Sequence, residues 1–170
     1  MIARYAVDFG SAGITRFTGG YNTTKSHVTR ISSTPAALAA QQSVLFDRIE
    51  QGRIEVGQPH STIQLTLDHT INNLSGTIHT TQYGSVGFRG TAANTSLDQT
   101  FHRKWVTDVN ASYTLMRELR LTIGANNVFD VYPDQQIVGN SNSGIFPYST
   151  TLTTFGNNGR FIYAKAKYTL

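Results

Sequence analysis

Apolar residues recur at every second position over long stretches of the chain. From Leu119 to Asn126, Leu119, Leu121, Ile123 and Ala125 fall on one face and Arg120, Thr122, Gly124 and Asn126 on the other. Period two predicts a strand. From Arg160 to Leu170 the apolar set is Ile162, Ala164, Ala166, Tyr168 and Leu170, against Lys165, Lys167 and Thr169. Between Lys104 and Leu115, Trp105, Thr107, Val109, Ala111, Tyr113 and Leu115 oppose Lys104, Asp108, Asn110, Ser112 and Thr114, with Val106 as the apolar exception. Upstream, Ser61 to Ile71 sets Ile63, Leu65, Leu67, His69 and Ile71 against Thr62, Gln64, Thr66, Asp68 and Thr70, and Leu74 to Tyr83 continues with Leu74, Gly76 and Ile78. At the start Ala3, Tyr5, Val7 and Phe9 alternate with Arg4, Ala6 and Asp8, and the chain then turns into Thr15, Phe17, Gly19 and Tyr21. The pattern predicts about seven strands of roughly 9–11 residues, the length a tilted strand needs to cross a bilayer.

The connections alternate in length. Ser11 to Gly13, Asn72-Asn73 and Met116 to Glu118 are short, whereas Thr23 to His60, Gly84 to Phe101 and Asp130 to Asn158 are long. Short turns on one edge and long loops on the other are the signature of an outer-membrane barrel. The first long loop is expected to hold helix, with Thr34 as N-cap, Pro35 at the first helical position, good helix formers from Ala36 to Gln42 and a second turn through Val44 to Glu50.

Composition agrees with strands. Of 170 residues 39% are hydrophobic and 14% charged, yet 11% are aromatic, which excludes a disordered tail. The polar bulk is uncharged Thr, Asn, Ser, Gln and Gly, poor material for helices. With 0 Cys there is no disulfide framework, thiolate metal site or cysteine nucleophile. The net charge of +4 is spread thinly, so no nucleic-acid patch stands out. Met1-Ile2-Ala3-Arg4-Tyr5 does not begin an export signal. The polar faces suit a wet or plugged lumen and the apolar faces suit lipid, with Tyr113, Tyr168 and Leu170 near one membrane boundary and Trp105 near the other. The fold class expected is therefore all-β: an antiparallel meander of about seven long strands, an incomplete segment of a transmembrane outer-membrane β-barrel.

Two segments carry a more specific likeness. Leu121-Thr122-Ile123-Gly124-Ala125-Asn126-Asn127-Val128-Phe129-Asp130-Val131-Tyr132-Pro133 resembles the penultimate-strand motif of TonB-dependent outer-membrane receptors, and Gly159-Arg160-Phe161-Ile162-Tyr163-Ala164 resembles their last strand. Family strands most often end on Phe; this one ends on Leu170, with Tyr168 at the preceding alternate position, as the expected signal for the barrel-assembly machinery. Asp98-Gln99-Thr100-Phe101, Lys104 to Asp108, Thr18 to Asn22 and Phe46-Asp47-Arg48 are also similar to family sequence, so the likeness covers residues 1–170. It implies the carboxyl-terminal part of a receptor that imports a scarce nutrient such as a siderophore, cobalamin or carbohydrate. The plug domain, the contact with the energy-coupling TonB protein, the first strands and the signal peptide lie outside these residues. Implied partners are outer-membrane lipid, the assembly machinery and the remainder of barrel and plug. The expected location is the outer membrane of a Gram-negative bacterium, and the chain is not expected to transport anything alone.

Candidate chemistry changes little. His27, His60, His69, His79 and His102 have no metal-ligand spacing, and no nucleophile elbow or paired carboxylates mark an enzyme, so no metal, cofactor or catalytic residue is assigned. His69 is expected near a membrane interface, and Asp68 and Asp108 are expected to form lumen salt bridges with Lys104 or Arg120. Glycines 19, 20 and 124 read as strand packing, and the sequons at Asn22, Asn73, Asn94 and Asn110 are given no role. In the last long loop Tyr132, Phe146 and Tyr148 are candidates for contact with a ligand at the extracellular mouth; the alternative is an aromatic cluster that stiffens the loop. Two other functions stand beside the receptor: a small soluble β-barrel or sandwich with a ligand inside, which requires the reverse facing, and a small porin closed by several copies.

Overall fold

A computed structural model of the chain describes residues 1–141 and 144–169. Seven strands form one antiparallel sheet: β1 (Ile2–Asp8), β2 (Ile14–Thr23), β3 (Ser61–Ile71), β4 (Leu74–Tyr83), β7 (Lys104–Thr114), β8 (Leu119–Asn126) and β9 (Phe161–Tyr168). Each pairs with its neighbour in that order, so β1 and β9 are open edges and the sheet is not closed. A separate hairpin of β5 (Val86–Phe88) and β6 (Gln99–Phe101) lies inside the second long loop. Among the described residues no helix is long and apolar enough to cross a membrane.

Register carries the period-two pattern across the whole sheet. Tyr5, Phe17, Leu67, Ile78, Val109, Ala125 and Ile162 are successive cross-strand partners, so seven strands present one continuous apolar row. A second row runs His69, Gly76, Ala111, Ile123 and Ala164. These side chains face outward: Tyr5 is 69%, Ile123 63% and Ile162 67% exposed. Among the described residues the buried apolar side chains are Val86, Phe101 and Ala125, and no large side chain is fully buried. A domain in water on both sides is held together chiefly by apolar burial, and this sheet has almost none of its own. Its apolar face is left uncovered by the described residues.

The opposite face is a ladder of hydroxyls and amides. Thr66 Oγ1 lies 2.8 Å from His79 Nδ1, Thr77 donates to Asp68 at 2.7 Å, Ser112 and Thr122 bond at 2.8 Å, and Arg120 donates to Ser75 at 2.6 Å. The expected lumen salt bridges do not form. Asp68 is satisfied by Thr77 and Asp108 by the backbone N–H of Asn127 at 2.7 Å, while Lys104 pairs with Asp134 and Arg120 reaches Ser75. Short neutral donors one strand away outcompete long cations that must give up side-chain entropy. His69, on the apolar face, bonds Thr15 Oγ1 at 2.8 Å and so has its polar atom satisfied there.

Turns follow the local chemistry. Asn72 adopts φ 49°, the left-handed conformation that Asn tolerates, between β3 and β4. The helical loop differs in detail from the sequence reading. Ala36–Gln41 is a 3-10 helix that leads into α1 (Gln42–Leu45), and the next helix, α2, starts later, at Arg48–Glu55. Asp47 is its N-cap, accepting from Glu50 N at 2.9 Å, whereas Thr34 Oγ1 is buried without a partner. Asp47 breaks the expected turn through Val44 to Glu50 because its carboxylate takes a backbone N–H that would otherwise be unpaired.

Candidate functional site

The three long loops gather at one end of the sheet, and exposed or part-buried polar bonds join each to the next. Loop one contributes α2. Its Gly52 is buried, and a Cβ there would meet the stem of Arg89 at 2.9 Å, so helix and hairpin touch directly. Arg48 grips Asp98 through two nitrogens, Nη1 at 2.6 Å and Nη2 at 2.5 Å, and also donates to the carbonyl of Gly90. Glu55 receives Arg89 at 2.5 Å, His27 at 2.7 Å and the N–H of Val28 at 3.0 Å. Loop three is tied to loop two by Asp134, which takes Lys104 at 2.7 Å and both the backbone and the ring of His102. Gln99 adds two bonds, to Gln135 and Ile137.

Three carboxylates are therefore hubs. The Arg48 guanidinium and then the Gly90 N–H hold Asp98 down from 3.8 to about 2. Partial burial pushes Asp134 up, but Lys104 and the His102 N–H outweigh it and bring it from 3.8 to about 2. The Val28 N–H, then Arg89, lower Glu55. A carboxyl that binds protons more weakly folded than unfolded adds stability that is complete above its ordinary value of 3.8 and lost as pH falls through 3.8 toward 2. Limited proteolysis of residues 24–60 on acidification is expected to show full protection above pH 4.5, the ordinary value of Glu55, and cleavage that grows as pH falls from there toward 2. Cleavage starting near neutrality would contradict the hub assignment.

The motif of residues 126–133 forms the support for loop three. Asn127, only 7% exposed and at φ 50°, donates from Nδ2 to Val131 O at 2.8 Å and accepts Val131 N at 2.9 Å. Its own N–H goes to Asp108, and Val128 N reaches across to Thr107 O at 2.8 Å. Asp130, at φ 57°, accepts Arg160 N at 2.8 Å and so fixes where β9 begins. Gly159 stands at φ 71° beside Tyr132 and Asp130, where a Cβ would run into both. Asn126 ends β8, Phe129 is 72% exposed, and Pro133 directly precedes the Asp134 hub.

The three loop aromatics do not converge. Tyr132 and Tyr148 stack, with ring centroids 6.1 Å apart and planes 16° from parallel. The charge of Asp130 pushes the Tyr132 hydroxyl up from its ordinary pKa. Phe146 instead lines a cleft of about 170 Å³ with Phe88, Phe101, Gln136, Asn140 and Ser149. A wider cleft of about 370 Å³ lies between Val56, His60, Phe88 and Asp98. At the other end Tyr168 pairs with Leu119 and Tyr113 with Leu121, beside the same turn, while Trp105 sits by Gln82 at the loop end. Leu170 lies outside the described residues. Sequence reading missed the hairpin and the hubs. Val86-Gly87-Phe88 and Gln99-Thr100-Phe101 are too short to show a period, and the hubs join residues such as Arg48 and Asp98 far apart in sequence.

The arrangement was compared with known proteins. No family model matches the sequence, and no curated protein matches it. Solved structures do: three crystal structures of the ferric enterobactin receptor PfeA from Pseudomonas aeruginosa superpose with TM-scores of 0.59, 0.58 and 0.60, at 16%, 16% and 17% identity. The second of these holds enterobactin. The likeness is one of fold. It covers 98%, 97% and 98% of this chain and 21% of each receptor chain, so the chain spans about a fifth of their length. The seven-stranded open sheet thus matches a fragment of an outer-membrane β-barrel receptor.

Proposed function

We propose that the chain is part of an outer-membrane receptor barrel of a Gram-negative bacterium that takes up a scarce nutrient through TonB-dependent energy coupling. The observation that carries the proposal is the continuous apolar face across seven strands in a sheet with almost no core. Lipid covers that face, the hydroxyl ladder lines the lumen, and the latched loops stand at the extracellular mouth. In this reading the rest of the barrel closes on β1 and β9, a plug domain fills the lumen and supplies the TonB contact, and Tyr168 and Leu170 belong to the signal read by the barrel-assembly machinery. The motif from Asn126 through Asn127, Val128, Phe129 and Asp130 to Tyr132 and Pro133 shapes the last loop. Phe146 is the aromatic best placed to meet a ligand, and the stacked Tyr132 and Tyr148 hold the loop behind it. Siderophore, cobalamin and carbohydrate remain the substrate classes proposed.

The 0 Cys content makes a clean test. Ser96→Cys in the second long loop and Arg117→Cys in a short turn are introduced singly, the chain is exported in a Gram-negative host, and intact cells receive a membrane-impermeant maleimide. The expected result is labelling at position 96 in intact cells and at 117 only after permeabilisation. Recovery of a compact soluble monomer without detergent, or labelling of both positions from outside, would overturn the proposal.

A further inference from the structure

We propose that Asn158 and Gly159 form a site of spontaneous deamidation where loop three meets β9, and that the reaction unfastens the first residues of that strand. The chain holds a single Asn-Gly pair, at these positions. A glycine after asparagine lets its backbone nitrogen approach the side-chain carbon, because no Cβ stands in the way. The fold leaves both partners available. Asn158 is exposed and lies outside helix and strand. Among the described residues neither its carboxamide nor the Gly159 N–H enters a hydrogen bond. Other loop asparagines differ: Asn140 donates to Leu97 O at 2.9 Å and Asn94 accepts from Ser96 at 2.6 Å, and each precedes a residue with a side chain, Ser141 and Thr95. Asn127 is buried and doubly bonded, and Asn22, Asn110 and Asn126 stand in strands, whose ladder bonds hold the backbone extended.

The step balances with water alone. Hydroxide takes the Gly159 amide proton, the nitrogen attacks Cγ of Asn158, and the bond from Cγ to Nδ2 breaks as the leaving nitrogen takes a proton from water, departs as ammonia and restores the hydroxide. The new bond from nitrogen to Cγ closes a succinimide ring. Water then opens the ring at either carbonyl, which leaves aspartate or isoaspartate at position 158 and a new carboxylate in both cases. The surroundings make that change felt. Gly159, at φ 71°, backs against the Tyr132 hydroxyl and Asp130 with no space for a Cβ, and the next N–H, that of Arg160, donates to Asp130 Oδ1 at 2.8 Å. Isoaspartate inserts a methylene into the backbone just before this packed glycine. Aspartate sets an anion one residue from it, on the side of Asp130. Either product opposes the bond that fixes where β9 begins, next to the pairing of Phe161 with Asn126. The inference rests on the geometry of this junction and not on nutrient uptake.

The full chain, refolded in zwitterionic detergent, is incubated at neutral and at mildly alkaline pH, and peptide mass spectrometry follows ammonia loss at each asparagine. Conversion is expected first at position 158, in proportion to hydroxide concentration, and at a rate in the folded chain close to that in urea. Hydrogen exchange of the converted chain is expected to quicken at residues 160–163 and to stay unchanged in β3 and β4. Asn158→Gln, whose longer side chain closes a ring far more slowly, should show neither change. Asn158→Asp supplies one product directly and should quicken exchange at the same residues without incubation. Conversion in urea but not in the folded chain, equal rates at Asn94 or Asn140, or unaltered exchange at the start of β9 in both the converted chain and Asn158→Asp would overturn the proposal.

Discussion

Asn127→Ala is expected to lower folding stability by about 3 kcal/mol. The side chain makes two bonds to the backbone of Val131, at 2.8 Å and 2.9 Å, from a position only 7% exposed. Each such bond contributes about 1 kcal/mol, and leaving the Val131 groups without partners adds to the loss. A third contribution is conformational: φ at Asn127 is 50°, a region that costs Ala about 1 kcal/mol more than it costs Asn or Gly. Two further variants separate these causes. Asn127→Gly keeps the backbone conformation and should recover about 1 kcal/mol, while Asn127→Asp keeps the acceptor for Val131 N–H and loses only the donor. Urea unfolding of the refolded chain in detergent measures all three, and an Ala variant within about 0.5 kcal/mol of the parent would show that the bonds do not hold loop three.

The second large effect tests which face meets lipid. Ile123→Arg places a cation in the apolar row, on a side chain 63% exposed between Ala111 and Ala164. In a bilayer a cation near the midplane costs about 2–4 kcal/mol, so insertion into phospholipid vesicles should fall steeply. Thr122→Arg, one residue earlier and on the polar face opposite Ser112 and Lys165, should insert nearly as the parent does. Equal insertion of the two variants, or a larger defect at position 122, would mean that the facing is reversed and that the soluble-barrel reading gains.

The strands were legible because their chemistry repeats. Leu119, Leu121, Ile123 and Ala125 hold one face over the full length of β8, and a slip of one residue would turn all four toward the polar side. The observed limits of β3, β4 and β8 accordingly fall where alternation meets turn residues, as at Asn72-Asn73. The strands of the large sheet span 7 to 11 residues; β8 keeps the limits of its alternation, while β9 stops short of the pattern that runs from Arg160. The loops were not legible in the same way. Asp98 gains its meaning from Arg48, and Asp134 from Lys104, pairings set by three-dimensional closure and not by local spacing. The same holds for Asp68 and Asp108, where placement on the polar face was legible but the partner was not: a threonine and a backbone N–H stood nearer than any cation.

The strand order also prescribes a folding route. Every strand of the large sheet pairs with the next one in it, and short turns close β1 with β2, β3 with β4 and β7 with β8. Hairpins closed by so few residues form on the microsecond scale and need no other part of the sheet. Closure entropy grows only logarithmically, by about 0.6 kcal/mol for each doubling of loop length, so the long loops delay assembly of the three hairpins without weakening the finished sheet much. β9 has no hairpin partner of its own among these strands. It is expected to join last, by docking onto an already formed β7–β8 unit, and a nascent sheet arrested before that step would expose β8 as a sticky edge.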